Sequence, residues 1–370
     1  MSSRFQDQLP LHGGQLRQIA ARYGIAAERL VDFSANINPS GPPLAVKPAI
    51  RRALEAQSTL TTYPDLDLVA LKQAIAQYTG VLAENIAVAN GFVPLLDASL
   101  RSLHIQRCLL PVPCFGEYRR TLENAGIATV PFGLNQYQGF AYGIDTMQEA
   151  LVKHSCDAIL LANPQNPSGV LCKAEEMLCL MKFAAQRNIT VLLDEAFIDY
   201  CPLESLTSRS TEFAKIVVFR SVTKFFAIPG LRVAYAVGNL STIQAMNRFA
   251  APWPITSFAS NAVCAALQDE VYAERSRTGN NRQRVRLERE LARLQIATYP
   301  SGANFLLLRF PEAVDVNLLW ERMIVEEHMV MRSCVNFEGL ASVHLRIAVR
   351  SKQENDRLVR GLERVLSTLP

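Results

Sequence analysis

The chain carries Ser221-Val222-Thr223-Lys224 one residue after the apolar run Ile216-Val217-Val218-Phe219, with Gly230-Leu231-Arg232 close behind. The apolar run has the length and β-branched content of a buried strand. Its end therefore presents one amine, two hydroxyls and one guanidinium. A lone lysine at a strand end usually just reaches water. These four groups together suit an aldehyde cofactor that carries a phosphate. The amine condenses with the aldehyde, and the hydroxyls and guanidinium hold the phosphate.

Two apolar runs upstream end in loops of similar promise. Run 157–161 leads into Asn163-Pro164-Gln165-Asn166-Pro167-Ser168-Gly169, and run 189–193 into Asp194-Glu195-Ala196-Phe197. In parallel α/β sheets ligands collect at the carboxyl ends of strands, so the three loops can face one crevice. Asp194 ends an apolar strand, where its charge is costly unless paired. A carboxylate beside a pyridine nitrogen keeps that nitrogen protonated and the ring electron-withdrawing. Asn166 offers an amide for a ring hydroxyl, and Lys224, once displaced by substrate, is a free amine able to move protons. Singly, these features read as turn chemistry or a helix N-cap. In order on successive strands they make a site.

From about residue 46 helical and apolar stretches alternate. The strand candidates are 86–89, 107–112, 127–130, 157–161, 189–193, 216–219 and 233–237. Continuous apolar strands separated by helices mean βαβ units and a mostly parallel, seven-stranded sheet. From about 265 the character changes to an α+β module, with a long charged helix at 267–293, a strand at 343–349 and a last helix at 352–366. The expected division is an arm at 1–45 that packs with the small domain, a large cofactor-binding domain at 46–264, and a small domain at 265–370.

Composition narrows the function classes. The 370 residues are 49% hydrophobic and 19% charged, with net charge +4, which suits a folded enzyme and not a nucleic-acid binder. Arg282, Arg284, Arg286, Arg289 and Arg293 are spaced as a solvated helix face. None of the eight cysteines forms C-x-x-C, and no histidine stands at metal-ligand spacing, so no metal is expected. Free cysteines suit a reducing cytoplasm. The stretch MSSRFQDQLPLHGG lacks the apolar core of a signal peptide, and no run is long enough for a membrane span.

The motifs Leu11–Gly14, Asp32–Pro39, Tyr63-Pro64-Asp65, Asp194–Tyr200, Arg220–Arg232, Arg332-Ser333-Cys334 and Arg346–Arg350 carry a resemblance over essentially the whole chain. The sequence resembles the fold type I pyridoxal-phosphate enzymes with the aspartate-aminotransferase-like α/β fold, class I/II aminotransferase family, in the branch of the histidinol-phosphate aminotransferases. Leu11–Gly14, Asp32–Pro39 and Arg332–Cys334 point, within that branch, to decarboxylases of threonine phosphate that serve cobalamin assembly.

The resemblance implies pyridoxal 5'-phosphate as cofactor and a role for each matched residue. Lys224 bonds the aldehyde, Asp194 pairs with the pyridine nitrogen, and Asn166 meets the ring hydroxyl. Ser221, Thr223 and Arg232 hold the cofactor phosphate beside Gly91 and Phe92. Tyr118, or failing it Phe115, covers the ring face. Tyr63 reaches the cofactor phosphate of a neighbouring subunit, since such enzymes are homodimers with sites at the interface. Arg346 binds the substrate's acidic group. Arg332, Arg350, His12 and Asn36, with Gly13 and Asn304, are candidates for the second anionic group. A substrate with a carboxylate and a phosphate needs two anion sites, and arginine offers a bidentate fork for each. The other reading of Arg350 is a salt bridge to a nearby carboxylate.

Asn90-Gly91-Phe92-Val93-Pro94 departs from the family pattern. Small or polar residues usually follow Asn-Gly there and help to hold the phosphate. Phe92 and Val93 have no side-chain donor and Pro94 has no N–H, so only backbone groups remain. A smaller departure is Phe197, where a tyrosine is common. The reaction expected is decarboxylation of a phosphorylated amino acid. The alternatives are transamination of a phosphorylated or acidic amine such as histidinol phosphate and, more remotely, a non-catalytic cofactor-binding sensor. Intact Lys224, Asp194, Asn166 and Arg232 favour an enzyme.

Overall fold

The computed structural model describes residues 12–369. Residues 1–11, which include Leu11 of the first motif and most of the expected arm's start, and Pro370 lie outside the described residues. The strands in chain order are β1 (Val31–Asp32), β2 (Ile86–Asn90), β3 (Arg107–Val112), β4 (Ala128–Gly133), β5 (Ala158–Ala162), β6 (Thr190–Asp194), β7 (Ile216–Ser221) and β8 (Val233–Gly238). β9 (Ala297–Thr298), β10 (Phe305–Arg309), β11 (Met329–Val330), β12 (Arg332–Ser333) and β13 (His344–Ala348) follow.

Strands β2 to β8 form one seven-stranded sheet in the order β2-β8-β7-β6-β5-β3-β4. β8 alone runs against its neighbours. β5 and β6 are buried along their whole length because helices cover both faces. Alternate residues serve opposite faces. Ile159, Leu161, Val191 and Leu193 pack into one core with helix Ala174–Gln186, while Leu160, Leu192 and Val217 pack into another with helix Phe92–Ser102. Every expected strand of this sheet is present, shifted by no more than a few residues.

The small domain's sheet is antiparallel, in the order β12-β13-β10-β9. Helices Val316–Val325 and Lys352–Leu366 cover it. The N-terminal segment joins this part of the molecule, because β1 pairs in parallel with β11. The long helix expected at 267–293 is present as Glu270–Arg293, and a separate helix, Ser257–Leu267, ends just before it. Asp269 makes the break. Its side chain accepts from the Tyr272 N–H at 2.8 Å and caps the second helix. Among the described residues no helix is long and apolar enough to cross a membrane, and no group of His, Cys, Asp and Glu is placed to hold a metal. All eight cysteines are free.

Candidate active site

The sheet order explains why the groups converge. β5, β6 and β7 are adjacent and parallel, so the loops carrying Asn166, Asp194 and Ser221–Lys224 emerge side by side. β2 points the same way, which brings Asn90-Gly91 to that edge. The reversed β8 starts there, so Arg232, the residue before it, arrives at the same end. A cavity of about 560 Å³ opens at this edge. Asn166, Asp194, Ser221, Thr223, Lys224 and Arg232 line it, together with Arg332 and Arg346 from the small domain.

Lys224 lies in a short helix, Val222–Phe225, capped by Ser221. Its ammonium is pushed down to about 8, first by burial and then by Arg232 and Arg346, with Asp194 opposing. Roughly a tenth of the amine is thus unprotonated and nucleophilic at pH 7, far more than for an ordinary lysine. The Asp194 carboxyl is pushed up to about 6 by burial. Two donors oppose that rise: the Tyr118 hydroxyl at 2.5 Å and the Ala196 N–H at 2.9 Å.

Ser221 Oγ and Thr223 Oγ1 lie 2.7 Å apart at the mouth of the loop. Arg232 adopts a left-handed backbone, and among the described residues its guanidinium meets only the Pro229 carbonyl, at 3.5 Å. Gly91 has φ +93, and a Cβ there would stand 3.0 Å from Arg232 Nη2. The glycine therefore keeps open a cradle between the start of helix Phe92–Ser102 and the guanidinium. The helix has no side-chain cap, which leaves its first N–H groups free for an anion. Two hydroxyls, a guanidinium and uncapped amides form a phosphate-binding donor set. Beside it stand an amine for an aldehyde and a carboxylate for a ring nitrogen. The residues fit pyridoxal 5'-phosphate.

Arg346 is buried and donates from Nη1 to Asn166 Oδ1 at 2.6 Å and from Nη2 to the Ser34 carbonyl at 3.1 Å. Arginine has only donors, so the Asn166 oxygen faces it and the amide N–H2 is left for a ligand. Burial, and then Arg332, push the Arg346 guanidinium down to about 10. Arg332 and Arg346 are direct cross-strand partners on β12 and β13. Arg332 donates to the Ser333 carbonyl and, at 2.8 Å, to Asn336 Oδ1.

At the opposite wall His12 Nε2 lies 3.0 Å from Glu117 Oε1. Gly13 passes so close to Ser34 that a Cβ would stand 2.1 Å from its carbonyl oxygen. His12, Gly13, Asn36, Gly91, Phe92 and Phe115 all line the cavity. Asn36 is buried there with Oδ1 unpartnered.

Three expected residues lie elsewhere, and Tyr63 stands outside its own chain's cavity, as a role toward a neighbouring subunit requires. Tyr118 is buried behind the cavity wall, with its hydroxyl on Asp194. Of the two candidates for the ring face, Phe115, one helical turn before Tyr118, is the one that lines the cavity. Arg350 does not line the cavity. It lies beyond the end of β13 and binds Glu354 at 2.6 Å and the Asp32 carbonyl at 2.9 Å. Asn304 is wholly buried away from the cavity, with neither amide atom hydrogen-bonded. Tyr63 is 78% exposed and stacks on Trp253 at 4.5 Å, outside its own chain's cavity. Sequence reasoning missed Glu117 and the donor role of Tyr118. The three-residue spacing from Phe115 to Tyr118 shows that both lie near one helix face, but not which ring faces the cavity.

The fold and this donor set define a pyridoxal-phosphate enzyme of the aspartate-aminotransferase fold. The aminotransferase class I and II profile matches residues 28–362, and the chain belongs to that family. It is 35% identical over 359 residues to the threonine-phosphate decarboxylase of Salmonella typhimurium, covering 96% of each chain. It is 30% identical over 344 residues to histidinol-phosphate aminotransferase 2 of Archaeoglobus fulgidus, covering 91% of this chain and 94% of that one. In structure it resembles the histidinol-phosphate aminotransferase of Sinorhizobium meliloti solved with pyridoxal-5'-phosphate. The TM-score is 0.86 at 22% identity, over 100% of this chain and 98% of the other.

Proposed function

We propose that this chain decarboxylates a phosphorylated amino acid, L-threonine O-3-phosphate, to (R)-1-amino-2-propanol phosphate. One observation carries the reading: Arg332 and Arg346, both buried, face each other across neighbouring strands at the cavity. Like charges directly opposite destabilise a sheet. An arrangement of that kind makes sense beside a ligand with two anionic groups. The 35% identity to a threonine-phosphate decarboxylase supports the same substrate. The 30% identity to a histidinol-phosphate aminotransferase supports transamination as the second reading.

Bound at this site, pyridoxal phosphate supplies an electron sink for the pair left when a bond to the amino acid's Cα breaks. Lys224 holds the cofactor through its amine, Asp194 faces the ring nitrogen, and Asn166 donates to the ring hydroxyl. Phe115 covers the ring. Ser221, Thr223, Arg232 and the amides at the start of helix Phe92–Ser102 hold the phosphate. Arg346 and Arg332 hold the substrate's two anionic groups and so fix which bond at Cα is aimed for cleavage. Lys224 Nζ would also be the amine placed to hand a proton to the substrate carbon. The enzyme acts as a cytoplasmic homodimer in which Tyr63 reaches the partner's cofactor phosphate. Exposed Leu60, Tyr63, Leu66 and Trp253 provide apolar surface for that contact.

Incubation of the purified holoenzyme with L-threonine O-3-phosphate tests the proposal. The expected result is release of CO2 while the cofactor stays an aldehyde. Conversion of the cofactor to its amine without CO2 would overturn decarboxylation in favour of transamination.

A further inference from the structure

Two observations stand apart from the chemistry above. Tyr118 donates to Asp194 from behind the cavity wall, and Phe92 occupies a position where a phosphate donor is expected. The structure connects them. The Phe92 ring lies 5.6 Å from the Tyr118 ring and 5.2 Å from Phe219, edge to face with the latter. Phe115 meets Tyr118 edge to face at 5.6 Å from the other side. Tyr118 thus packs against two aromatic rings, Phe92 and Phe115, with Phe219 behind Phe92, and is 1% exposed with its hydroxyl on Asp194 Oδ2.

We propose that Tyr118 is a positioning residue that keeps Asp194 ionised and aimed at the cofactor's ring nitrogen, and that Phe92 walls this pair instead of serving the phosphate. The proposal rests on the reading that Asp194 faces that nitrogen. Asp194 has few other sources of support. Its Oδ1 takes the Ala196 N–H at 2.9 Å. The Lys224 ammonium favours its charge, while neighbouring Glu195 opposes it. The nearby Tyr142 hydroxyl is spent on the Ala162 carbonyl at 2.7 Å. Burial alone favours the neutral acid, which could not hold a proton on the ring nitrogen by charge. The enclosing rings exclude water from the Tyr118–Asp194 bond and so strengthen it. They also hold the Tyr118 phenol well above its ordinary range, so it remains a donor. An inward-facing aromatic at position 92 therefore has a structural task, and the backbone at that position still faces the anion cradle.

The test uses holoenzyme reconstituted with ring-15N-labelled pyridoxal phosphate, reading the ring-nitrogen chemical shift and the cofactor dissociation constant at neutral pH. Tyr118→Phe should move the shift towards the unprotonated ring and weaken binding about ten- to a hundredfold, the range for one hydrogen bond to a charged group. Phe92→Leu should move both in the same direction by less. The double variant should be no worse than Tyr118→Phe alone. Phe92→Leu should also weaken pyridoxal and pyridoxal phosphate equally. Weakening of the phosphorylated form alone would overturn the role given to Phe92. Asp194→Asn separates the two levels of inference. If it leaves the ring protonated, the placement of Asp194 fails. If it deprotonates the ring and a folded Tyr118→Phe does not, the role of Tyr118 fails by itself.

Discussion

Asp194 ends β6 and Glu195 follows it, and both are buried, yet they belong to opposite kinds of charge cluster. Glu195 is saturated. It accepts from the Leu206 N–H at 2.7 Å, Ser205 Oγ at 2.6 Å and Thr207 Oγ1 at 2.8 Å, and pairs with Arg220 at 3.7 Å. Arg220 in turn pairs with Asp199, which also takes the Tyr78 hydroxyl at 2.7 Å. Around Asp194 the pattern reverses. Lys224, Arg232 and Arg346 have no carboxylate within 4.0 Å among the described residues. Residue type does not separate the two clusters, since each has buried acids and an arginine. Missing partners do. A closed cluster stabilises the fold, and an open one is stabilised by its ligands. The closed one also places the open one, because Glu195 follows Asp194 and Arg220 precedes Ser221.

Exchanging the arginines' fates is the strongest way to break this contrast. Arg346→Gln should lower kcat/KM about a hundredfold, as expected for loss of a charged contact to substrate. Its melting temperature should hold or rise, because the buried guanidinium loses no ion pair. Arg220→Gln should instead cost about 3–5 kcal/mol of stability by stranding Asp199 and Glu195. Denaturant unfolding and steady-state decarboxylation of both variants measure the two effects. If Arg346→Gln destabilises as much as Arg220→Gln, the open cluster is part of the scaffold.

A pH series sharpens the same contrast. Lys224, held at about 8 against an ordinary 10.5, captures the cofactor only as free amine. Capture by the apoprotein should therefore quicken about tenfold per pH unit up to about pH 8 and then level off. The same shift affects folding. Between about 8 and 10.5 the unfolded chain holds a proton that the folded chain lacks, so this lysine's contribution makes stability rise with pH across that window. Below it the full penalty, about 3 kcal/mol, is present. Apo Lys224→Met should be the more stable protein at pH 7 and lose that advantage by pH 10.5. A capture rate that stays flat from about pH 6.5 to 8.5 would contradict a depressed lysine.

The large sheet was legible because its strands are continuous apolar runs, and the loops that follow carry uncommon polar groups in order. Lys224, Asp194 and Asn166 stood out for that reason. What the sequence left open is mostly a matter of facing. Phe115 and Tyr118 share a helix turn, and only the packing of Tyr118 on Phe92 and its bond to Asp194 show which ring is turned away from the cavity. Asn304 looks like a site residue beside Phe305, but it is wholly buried just before β10 and does not line the cavity. The arginines at 332 and 346 acquire meaning from their cross-strand register, which pairs residues far apart in the chain. Arg350 is different, because a local signal was present. Ser351-x-x-Glu354 is a capping box, and it puts a carboxylate four residues beyond the arginine.

That signal makes Arg350 the mildest test of the comparison. It is half-buried, bonded to Glu354 at 2.6 Å and to the Asp32 carbonyl at 2.9 Å, and stands off the cavity. It belongs with the closed cluster, but with solvent access that the Arg220 network lacks. Arg350→Ala should cost about 1 kcal/mol of stability, since the partly exposed pair contributes little and Glu354 can still cap its helix through Ser351. KM for the phosphorylated amino acid should change by less than about threefold. A tenfold or greater rise in KM with stability unchanged would place Arg350 among the substrate's anion contacts and leave Arg332 and Arg346 an incomplete account of them.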